Sequence, residues 1–228
     1  MKVLLAAAWP PELRRWEAVL AGSPGLRARA VARAVGVGLV EAAVGTTRAI
    51  AEERPRAVVF LGTAGAYPGR RTPPPGTALC VRRVHLLSHA VLRKEAYFPP
   101  PLPTRLEVDP ALAEALAQAA ALPWAEVACP LGITSSTGGG KPGWLENLEA
   151  FAVGRAAAAA GLPFAAVVGV ANQVGAQAHA QWRRWGERAA AVACDAVIAW
   201  LRAPTRRPAT RTAARPPAPG RRARRSPV

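Results

Sequence analysis

The chain has 228 residues, 51% of them apolar, and a formal net charge of +16 at pH 7. This length is enough for one domain with a sizeable core, and the apolar fraction excludes a largely disordered chain. The charge is typical of nucleic-acid-binding proteins, but lysine occurs only at Lys2, Lys94 and Lys141. A charge carried almost wholly by arginine, with abundant Ala, Pro and Gly, indicates a coding bias rather than selection for phosphate contacts.

The C-terminal segment concentrates this charge. Eight arginines lie beyond Ala203, with no acidic or aromatic residue among them: Arg206, Arg207, Arg211, Arg215, Arg221, Arg222, Arg224 and Arg225. Such a proline-rich segment cannot bury enough apolar surface to offset its ordering entropy. We predict a folded domain over residues 1–203 and a disordered tail over 204–228. A solvated extension is the favoured interpretation of the tail, and non-specific contact with nucleic acid or anionic lipid is the alternative.

The cysteines and histidines indicate neither a disulfide framework nor a metal site. The cysteines are odd in number and widely separated, which is typical of a reducing compartment: Cys80, Cys129 and Cys194. The histidines have no metal-ligand spacing and no acid nearby in sequence: His85, His89 and His179. We therefore expect histidines on the surface or in packing, and neither a metal nor a cofactor.

The apolar stretches predict strands and core helices rather than membrane segments. Residues 3–8 are too few for a signal-peptide core and predict a first strand. The longest stretch, residues 151–171, is interrupted by Arg155, Gly161 and Pro163, which argues against a membrane span. A cytoplasmic protein is the expectation.

Apolar runs typical of buried strands alternate with helical segments along the chain. The predicted strands cover residues 3–8, 33–37, 57–61, 77–87, one or two pieces of 126–135, and 164–170. The predicted helices cover residues 12–21, 39–53, 110–121, 145–160 and 176–201. Residues 87–108 are rich in proline and predict a long loop over a site. This rhythm predicts a single α/β domain with a twisted, mostly parallel mixed sheet flanked by helices.

Ligands of such sheets bind beyond the carboxyl ends of the strands. Four segments meet that condition: residues 9–12, 62–65, 134–140 and 171–175. Near the third of them, Glu149 lies one turn into the predicted helix 145–160, as an acid in an otherwise apolar stretch. A buried acid at this edge is a candidate functional residue.

Three segments, in this order, resemble the purine nucleoside phosphorylase and nucleosidase superfamily, in particular its hydrolase branch. KVLLAAAWPPEL at residues 2–13 is similar to the family's first strand and the acidic loop after it. VGVG at 35–38 and VVFLGTAGA at 58–66 are similar to the family's Gly-x-Gly strand and Gly-x-Ala-Gly turn. ENLEAFAV at 146–153, with GVAN at 169–172, resembles its Met-Glu-x-x-Ala helix and Ser-Asp or Ser-Asn strand end. The resemblance spans residues 1–201 and implies a nucleoside phosphorylase-like fold.

The resemblance implies cleavage of the N-glycosidic bond of a purine nucleoside, through an oxocarbenium-like sugar. Glu149 would hold the ribose hydroxyls and stabilise the positive charge that develops on the sugar. Glu12 would activate the attacking water, and Asn172 would hydrogen-bond N7 of the departing purine. Each has an ordinary alternative: Glu12 as a first-turn helix acid, Glu149 as a solvated helix residue, and Asn172 as a turn former.

Five further residues complete the substrate-binding set that the resemblance implies. Thr63, Ala64 and Gly65 would bring backbone amides close to the sugar and base, an approach that only small side chains permit. Leu148 and Phe151 belong to the segment that matches the ribose-binding motif. Several motif positions are replaced, however, so a nucleoside-binding protein that has lost catalysis is an alternative. A nucleic-acid-binding module driven by the basic tail is another.

Asn172 directs the choice of substrate. Many family members that act on adenine-bearing thionucleosides carry aspartate here, whereas an asparagine amide donates permanently and suits the oxygen of a 6-oxopurine. The resemblance is therefore greatest to futalosine hydrolase, which releases hypoxanthine in menaquinone biosynthesis. A methylthioadenosine/S-adenosylhomocysteine nucleosidase and a purine nucleoside phosphorylase are the alternatives. The arginine loop of phosphorylases is not evident, which favours hydrolysis. The resemblance also implies a homodimer or larger homo-oligomer, with Trp16 or Trp200 as candidate interface residues.

Overall fold

Strands and helices alternate along the chain, as the apolar runs predict. A computed structural model of the chain describes residues 2–136 and 140–204. Its strands are β1 (Val3–Ala7), β2 (Ala30–Ala34), β3 (Ala57–Ala66), β4 (Ala78–Leu86), β5 (Arg105–Glu107), β6 (Trp124–Cys129), β7 (Leu145–Glu146) and β8 (Phe164–Gln173). Its helices are α1 (Arg14–Leu20), α2 (Pro24–Arg29), α3 (Gly38–Glu53), α4 (His89–Leu92), α5 (Pro110–Ala120), α6 (Ala150–Ala159) and α7 (Ala178–Arg202). A short 3₁₀ helix, Pro10–Leu13, follows β1. The predicted α/β class is confirmed.

The strands of the described residues form one mixed sheet in the order β2-β1-β3-β7-β6-β4-β5, and β8 pairs with both β3 and β4. Strands β2, β1, β3 and β8 run parallel to one another, whereas β8 runs antiparallel to β4. Two routes therefore connect β3 with β4: one passes through β8, the other through β7 and β6. Strands β3, β8, β4, β6 and β7 thus close into a barrel, and β1 and β2 extend the sheet beyond β3. The parallel strands β1, β3 and β8 end at the same edge of the sheet.

The central strands are apolar because both of their faces are covered. Every residue of β1 is buried, and so is every residue of β8 except the last. Helix α7 packs against β8, β3 and α5, and α3 packs against α6. A Cβ at Gly169 of β8 would lie 1.9 Å from the backbone oxygen of Ala189 in α7. Only glycine therefore permits the close contact between the longest helix and the sheet.

Trp16 belongs to this core. Its side chain is 1% exposed within its own chain and packs with the apolar residues of the sheet. The prediction of Trp16 at a subunit interface is therefore wrong, because a side chain enclosed by its own chain cannot contact a partner. Trp200 is half-buried at the edge of the core, and its place in an interface stays a prediction.

Strand β3 is longer than predicted, and the helix next to Glu149 begins later in the chain than predicted. β3 continues through Gly62 to Ala66 because this stretch pairs with β7 and β8. The predicted helix 145–160 begins only at Ala150, since the residues before it form strand β7 and a turn. Glu149 consequently stands at the N-cap of α6 rather than one turn inside a helix.

Two other regions also differ from the predicted elements. The second strand covers Ala30–Ala34 rather than residues 33–37, and helix α2 precedes it. The predicted loop 87–108 contains the short helix α4 and the edge strand β5, which pairs with β4. Asp109 is the N-cap of α5, where its carboxylate accepts a hydrogen bond from the Leu112 amide at 2.8 Å.

The pairing of β3 with β8 contains one bulge, at the edge where the parallel strands end. Ala64 pairs with Val170 and Gly65 pairs with Asn172, so that Ala171 is an extra residue in β8. A bulge bends its strand and re-aims the side chains that follow. It sets Asn172 beside Gly65.

No helix within the described ranges is long and apolar enough to cross a membrane. The predicted tail, residues 204–228, lies outside those ranges except for Pro204. Thr137, Gly138 and Gly139 of the predicted site segment 134–140 also lie outside them.

Candidate active site

A cavity of about 380 Å³ opens at the edge where β1, β3 and β8 end. This volume lies in the range of small-molecule sites. Its polar lining residues are Glu12, Thr63, Glu146, Asn147, Glu149 and Asn172. Its apolar and aromatic lining residues are Ala8, Trp9, Val37, Ala64, Gly65, Ile133, Leu148, Ala178, His179 and Trp182. The cavity lies at the edge where the strand-end rule predicts a ligand site.

Glu12 enters the cavity from the 3₁₀ helix that follows β1. Pro10 and Pro11 open this helix, where a missing amide hydrogen costs nothing. The Ala8 amide donates to Glu12 Oε2 at 3.0 Å. The amide and hydroxyl of Thr63 donate to Oε1 at 2.9 and 3.1 Å. Three donors thus hold one carboxylate between the ends of β1 and β3.

Burial raises the pKa of Glu12 from 4.5 to about 7, although the hydrogen bonds from Thr63 and Ala8 lower it. The charge of Glu149 nearby raises the pKa further. The side chain is only 5% exposed, so little water reaches the carboxylate. A carboxyl group that titrates near neutral pH can take up or release a proton during a reaction at that pH.

Glu149 is buried at the N-cap of α6, on the other side of the cavity. The amide of Gly38, the first residue of α3, donates to Glu149 Oε1 at 2.9 Å. A helix N-terminus carries partial positive charge, which favours a carboxylate in this place. Burial nevertheless raises the pKa of Glu149 above its ordinary value, while the Gly38 amide and the Asn147 side chain oppose that shift.

Asn147 fixes the position of Glu149. Its side-chain oxygen accepts hydrogen bonds from the amides of Glu149 and Ala150, at 2.9 and 2.8 Å, where α6 begins. Its side-chain amide donates to Glu149 Oε2 at 3.0 Å and to the Thr63 carbonyl at 3.1 Å. Asn147 therefore ends β7, starts α6 and ties the acid to strand β3. Asn147 lies in the motif at residues 146–153, but the sequence predicts no role for its side chain.

Thr63 joins the two carboxylates. Its amide and hydroxyl bind Glu12, and its carbonyl accepts from Asn147, which holds Glu149. The indole of Trp182 donates to the Thr63 hydroxyl at 3.4 Å. One residue of β3 thus sets the positions of both acids.

Asn172 lies two residues further along the same strand pair, beside Gly65. Its side-chain amide donates one hydrogen bond, to the Gln173 carbonyl at 2.9 Å. A Cβ at Gly65 would lie 2.7 Å from Asn172 Nδ2, so glycine is required for the amide to cross this strand. The second hydrogen of the amide remains able to donate to a ligand.

The mouth of the cavity is aromatic and apolar. Trp9 and Trp182 lie with ring centroids 5.9 Å apart, and His179 stacks on Trp182 at 6.2 Å. Val37 and Ile133 also line the cavity and are largely exposed. His179, predicted to lie on the surface or in packing, is exposed on the first turn of α7, and it also lines the cavity.

The structure brings together seven of the eight predicted site residues: Glu12, Thr63, Ala64, Gly65, Leu148, Glu149 and Asn172. Phe151 is the exception. Its side chain points into the hydrophobic core from α6 and does not line the cavity. Phe151 is removed from the site because helix α6 begins at Ala150, which turns the next side chain inward.

A family model described as the phosphorylase superfamily matches residues 15–139, more than half of the chain. The chain belongs to the phosphorylase superfamily. The match includes Thr63, Ala64 and Gly65 and ends before Glu149. No curated protein matches the sequence. The superfamily assignment confirms the resemblance found in the sequence.

Solved structures share the fold of this superfamily member. The 5'-methylthioadenosine/S-adenosylhomocysteine nucleosidase of Neisseria meningitidis, in complex with methylthio-immucillin-A, superposes with a TM-score of 0.74 at 19% identity and covers 88% of this chain and 97% of its own. The native futalosine hydrolase of Helicobacter pylori gives a TM-score of 0.76 at 14% identity, with coverages of 88% and 97%. The S-adenosylhomocysteine nucleosidase of Streptococcus pyogenes gives 0.71 at 18%, with coverages of 88% and 96%. At these identities the likeness establishes a shared fold.

Proposed function

We propose that the chain hydrolyses the N-glycosidic bond of a purine nucleoside. The observation that carries the proposal is the pair of buried carboxylates, Glu12 and Glu149, which Thr63 holds in one cavity. Burying two acids together is costly unless their charges serve a purpose. Nucleoside hydrolysis needs one acid for the sugar and a second for water.

Glu149 would bind the ribose hydroxyls. Its oxygens already accept from the Gly38 amide and Asn147, but a carboxylate has about four acceptor positions, which leaves room for two hydroxyl donors. The fixed carboxylate would also stabilise positive charge on the sugar as the glycosidic bond lengthens. Because Asn147 and the α3 N-terminus hold it in advance, little reorganisation accompanies the reaction.

Glu12 would act as the general base toward water. A pKa of about 7 provides both a useful fraction of carboxylate near neutral pH and enough basicity to accept a proton. Asn172 would donate its free amide hydrogen to N7 of the purine, which stabilises the base as it leaves. The two groups act on opposite sides of the bond that breaks.

Futalosine is the substrate we propose within this class, with hypoxanthine as the released base and menaquinone biosynthesis as the process. The amide at Asn172 supports a 6-oxopurine because it can donate to the purine without first taking up a proton. Hydrolysis rather than phosphorolysis is supported by the cavity lining: no arginine or lysine occurs among its described residues, and a bound phosphate needs such partners.

We also propose that the protein works in the cytoplasm as a homodimer or larger homo-oligomer. Five large apolar side chains are exposed in the segments that contribute Val37 and Ile133 to the cavity lining: Val37, Val40, Val44, Leu131 and Ile133. Exposed apolar side chains of this size support an association site. Analytical ultracentrifugation tests this: a single monomeric species at micromolar concentration would contradict it.

A nucleoside panel assayed with and without phosphate tests the proposed reaction. We expect futalosine to release free hypoxanthine at the same rate with and without phosphate, and methylthioadenosine to react more slowly. Phosphate-dependent release would identify a phosphorylase, and faster release of adenine would identify a thionucleosidase. Ligand binding by calorimetry without release of any base would identify a binding protein.

A further inference from the structure

A second cavity, of about 470 Å³, is lined by residues of β4, β6 and α5 and of the β5–α5 connection. Its volume lies in the range of small-molecule sites. Among the residues that the structure describes, it shares none with the lining of the candidate active site. Its apolar wall is formed by Val108, Pro110 and Ala113. The proposed hydrolysis uses no residue of this cavity, so a ligand bound here would occupy a separate site.

A β-bulge in β4 brings an arginine to this cavity. Val81 pairs with Ala125 of β6 and Arg83 pairs with Glu126, so that Arg82 is an extra residue without a partner in the ladder. Side chains of a regular strand alternate between its two faces, and an extra residue re-aims the side chains around it. Bulges of this kind are common beside binding sites. Arg82 lines the cavity.

The two neighbouring arginines at the bulge have different surroundings. Arg83 donates to Glu107 Oε1 at 2.7 Å and to Glu126 Oε1 at 3.3 Å. The guanidinium of Arg82 lies over the indole of Trp124, 5.5 Å from the ring centroid, and no carboxylate of the described residues lies within 4.0 Å of it. A guanidinium stacked on an aromatic ring keeps its N–H groups free for a carboxylate. Arg82 therefore presents a positioned cation to a ligand.

Glu114 of α5 places the opposite charge in the same cavity. Glu107 also lines the cavity, but Arg83 and Arg105 already donate to its Oε1, each at 2.7 Å. Glu114 accepts a hydrogen bond from the neutral side-chain amide of Gln118 at 2.8 Å, and within the described part of the chain it has no cationic partner. Its second carboxylate oxygen can therefore accept from a cationic group of a ligand.

We propose that this cavity binds a free amino acid with an aromatic or large apolar side chain. The carboxylate of the ligand binds Arg82, its ammonium group binds Glu114, and its side chain lies against Trp124 and Val108. A cation and an anion that line one cavity without pairing with each other match the two charges of a zwitterion. A ligand with only one of these charges leaves the other protein charge without a partner and is repelled by it, which gives specificity.

Calorimetry with three probes of the same ring tests the two charges separately. L-phenylalanine carries both charges, 3-phenylpropionate lacks the ammonium group, and 2-phenylethylamine lacks the carboxylate. We expect L-phenylalanine to bind at least about tenfold more tightly than either analogue, because each analogue loses one charge-assisted interaction. Equal affinities of the three probes would overturn the proposal. So would the absence of binding of L-phenylalanine, L-tryptophan and L-leucine alike at millimolar concentration.

Two variants assign each charge of the ligand to its residue. Glu114→Gln should remove the preference for L-phenylalanine over 3-phenylpropionate and keep the preference over 2-phenylethylamine. Arg82→Gln should do the reverse. Arg48→Gln and Glu52→Gln, at exposed positions of α3, are the matched controls and should bind all probes like the parent. If Arg82→Gln and Glu114→Gln weaken all three probes equally, neither residue recognises a charge of the ligand and the proposal is wrong.

Competition with a purine base separates the two cavities. Because they share no lining residue within the described ranges, saturating hypoxanthine should leave the affinity for L-phenylalanine unchanged. Competitive displacement would place the amino acid in the candidate active site and overturn the proposal. A failure of the proposed hydrolysis would appear separately, as absence of base release from nucleosides.

Discussion

The floor and the mouth of the cavity are built by opposite means. The floor of the cavity is formed by strand β3 and the strands paired with it. There, the Thr63 amide donates a hydrogen bond to Glu12, Glu146 accepts one from the Thr134 amide, and Asn172 donates one to the Gln173 carbonyl. The mouth consists of side chains from loops and helix ends, and Val37 and Ile133 are 58% and 70% exposed. The polar groups of the proposed mechanism thus lie where the backbone is most constrained, and catalysis by fixed charges requires groups that need not reorganise.

Substitutions in the floor and substitutions at the mouth should therefore change different kinetic constants. A change in the floor should lower kcat, since it removes an interaction made in the transition state. A change at the mouth should raise KM, since apolar contacts there bind the ground state and the transition state alike. The predictions below test this contrast, from the largest effect to the smallest.

Glu12→Gln should have the largest effect. Removal of a general base costs roughly 10²- to 10⁴-fold in rate, and we expect this loss in kcat with little change in KM. Steady-state release of hypoxanthine from futalosine measures it. Glu17→Gln, an exposed acid on the following helix, is the matched control and should behave like the parent. A Glu12→Gln variant with parental kcat would remove Glu12 from the mechanism.

Glu149→Gln should lower kcat/KM by roughly 10²- to 10³-fold, because a neutral amide stabilises the positive sugar less than a carboxylate does. The exposed Glu52 supplies the control Glu52→Gln on α3. Substrates without a 2'-hydroxyl or 3'-hydroxyl sharpen the test. The reduction in kcat/KM that a missing hydroxyl causes and the reduction that the Glu149→Gln substitution causes should not add. Full additivity would show that Glu149 does not bind the ribose hydroxyls.

The pH dependence of the parent should follow Glu12. Its folded pKa of about 7 lies above the ordinary value, so the side chain is protonated, and inactive as a base, below that pH. The rate should therefore rise roughly tenfold per unit up to about pH 7 and level off above it. Profiles of kcat/KM from pH 5 to 9 check this. A rate that falls as pH rises through 7 would mean that Glu12 acts as an acid.

Asn172→Ala should reduce kcat by roughly 10- to 100-fold, through loss of one hydrogen bond to the leaving base. The effect should shrink for nucleosides whose bases leave easily without help, which can be measured with 7-methylguanosine. An equal loss for all nucleosides would indicate that the substitution disturbs the fold at the β-bulge instead.

Trp182→Ala should have the smallest effect, a rise in KM of a few-fold to about tenfold with kcat nearly unchanged, because an aromatic contact at the mouth is lost. Trp185→Ala is the matched control, since Trp185 lies on the same helix, contacts Arg184 and Arg188, and does not line the cavity. A fall in kcat as large as that of the floor variants would break the contrast between floor and mouth.

The part of the candidate site that lies at the ends of strands could be predicted from the sequence. Apolar runs identify β1, β3 and β8, and parallel strands bring their carboxyl ends to one edge. Glu12 and Asn172 follow directly from this rule, because each lies at such an end. Glu149 was found through the motif around it, although its helix was predicted to begin five residues too early.

Contacts that depend on distant pairing could not be predicted. Strand β7 has only two residues, too few for any periodicity, and its pairing with Gly65 spans about eighty residues of sequence. The sequence pattern therefore assigns Glu146 to an alanine-rich helix, and its place in the cavity could not be predicted from that pattern. The same holds for His179, whose exposure to the cavity depends on how α7 lies across the sheet, and for Phe151, whose direction depends on where α6 begins.

The extra residue at Ala171 has a consequence for how this protein can change over time. Upstream of it, Phe164–Val170 must satisfy two packed faces of the core. Downstream, Asn172 lines the cavity. In an unbroken ladder Asn172 would pair with Ala66 instead of Gly65, and its side chain would lie on the opposite face of the sheet. The bulge therefore sets the face on which Asn172 lies, whatever apolar side chains fill the buried part of β8.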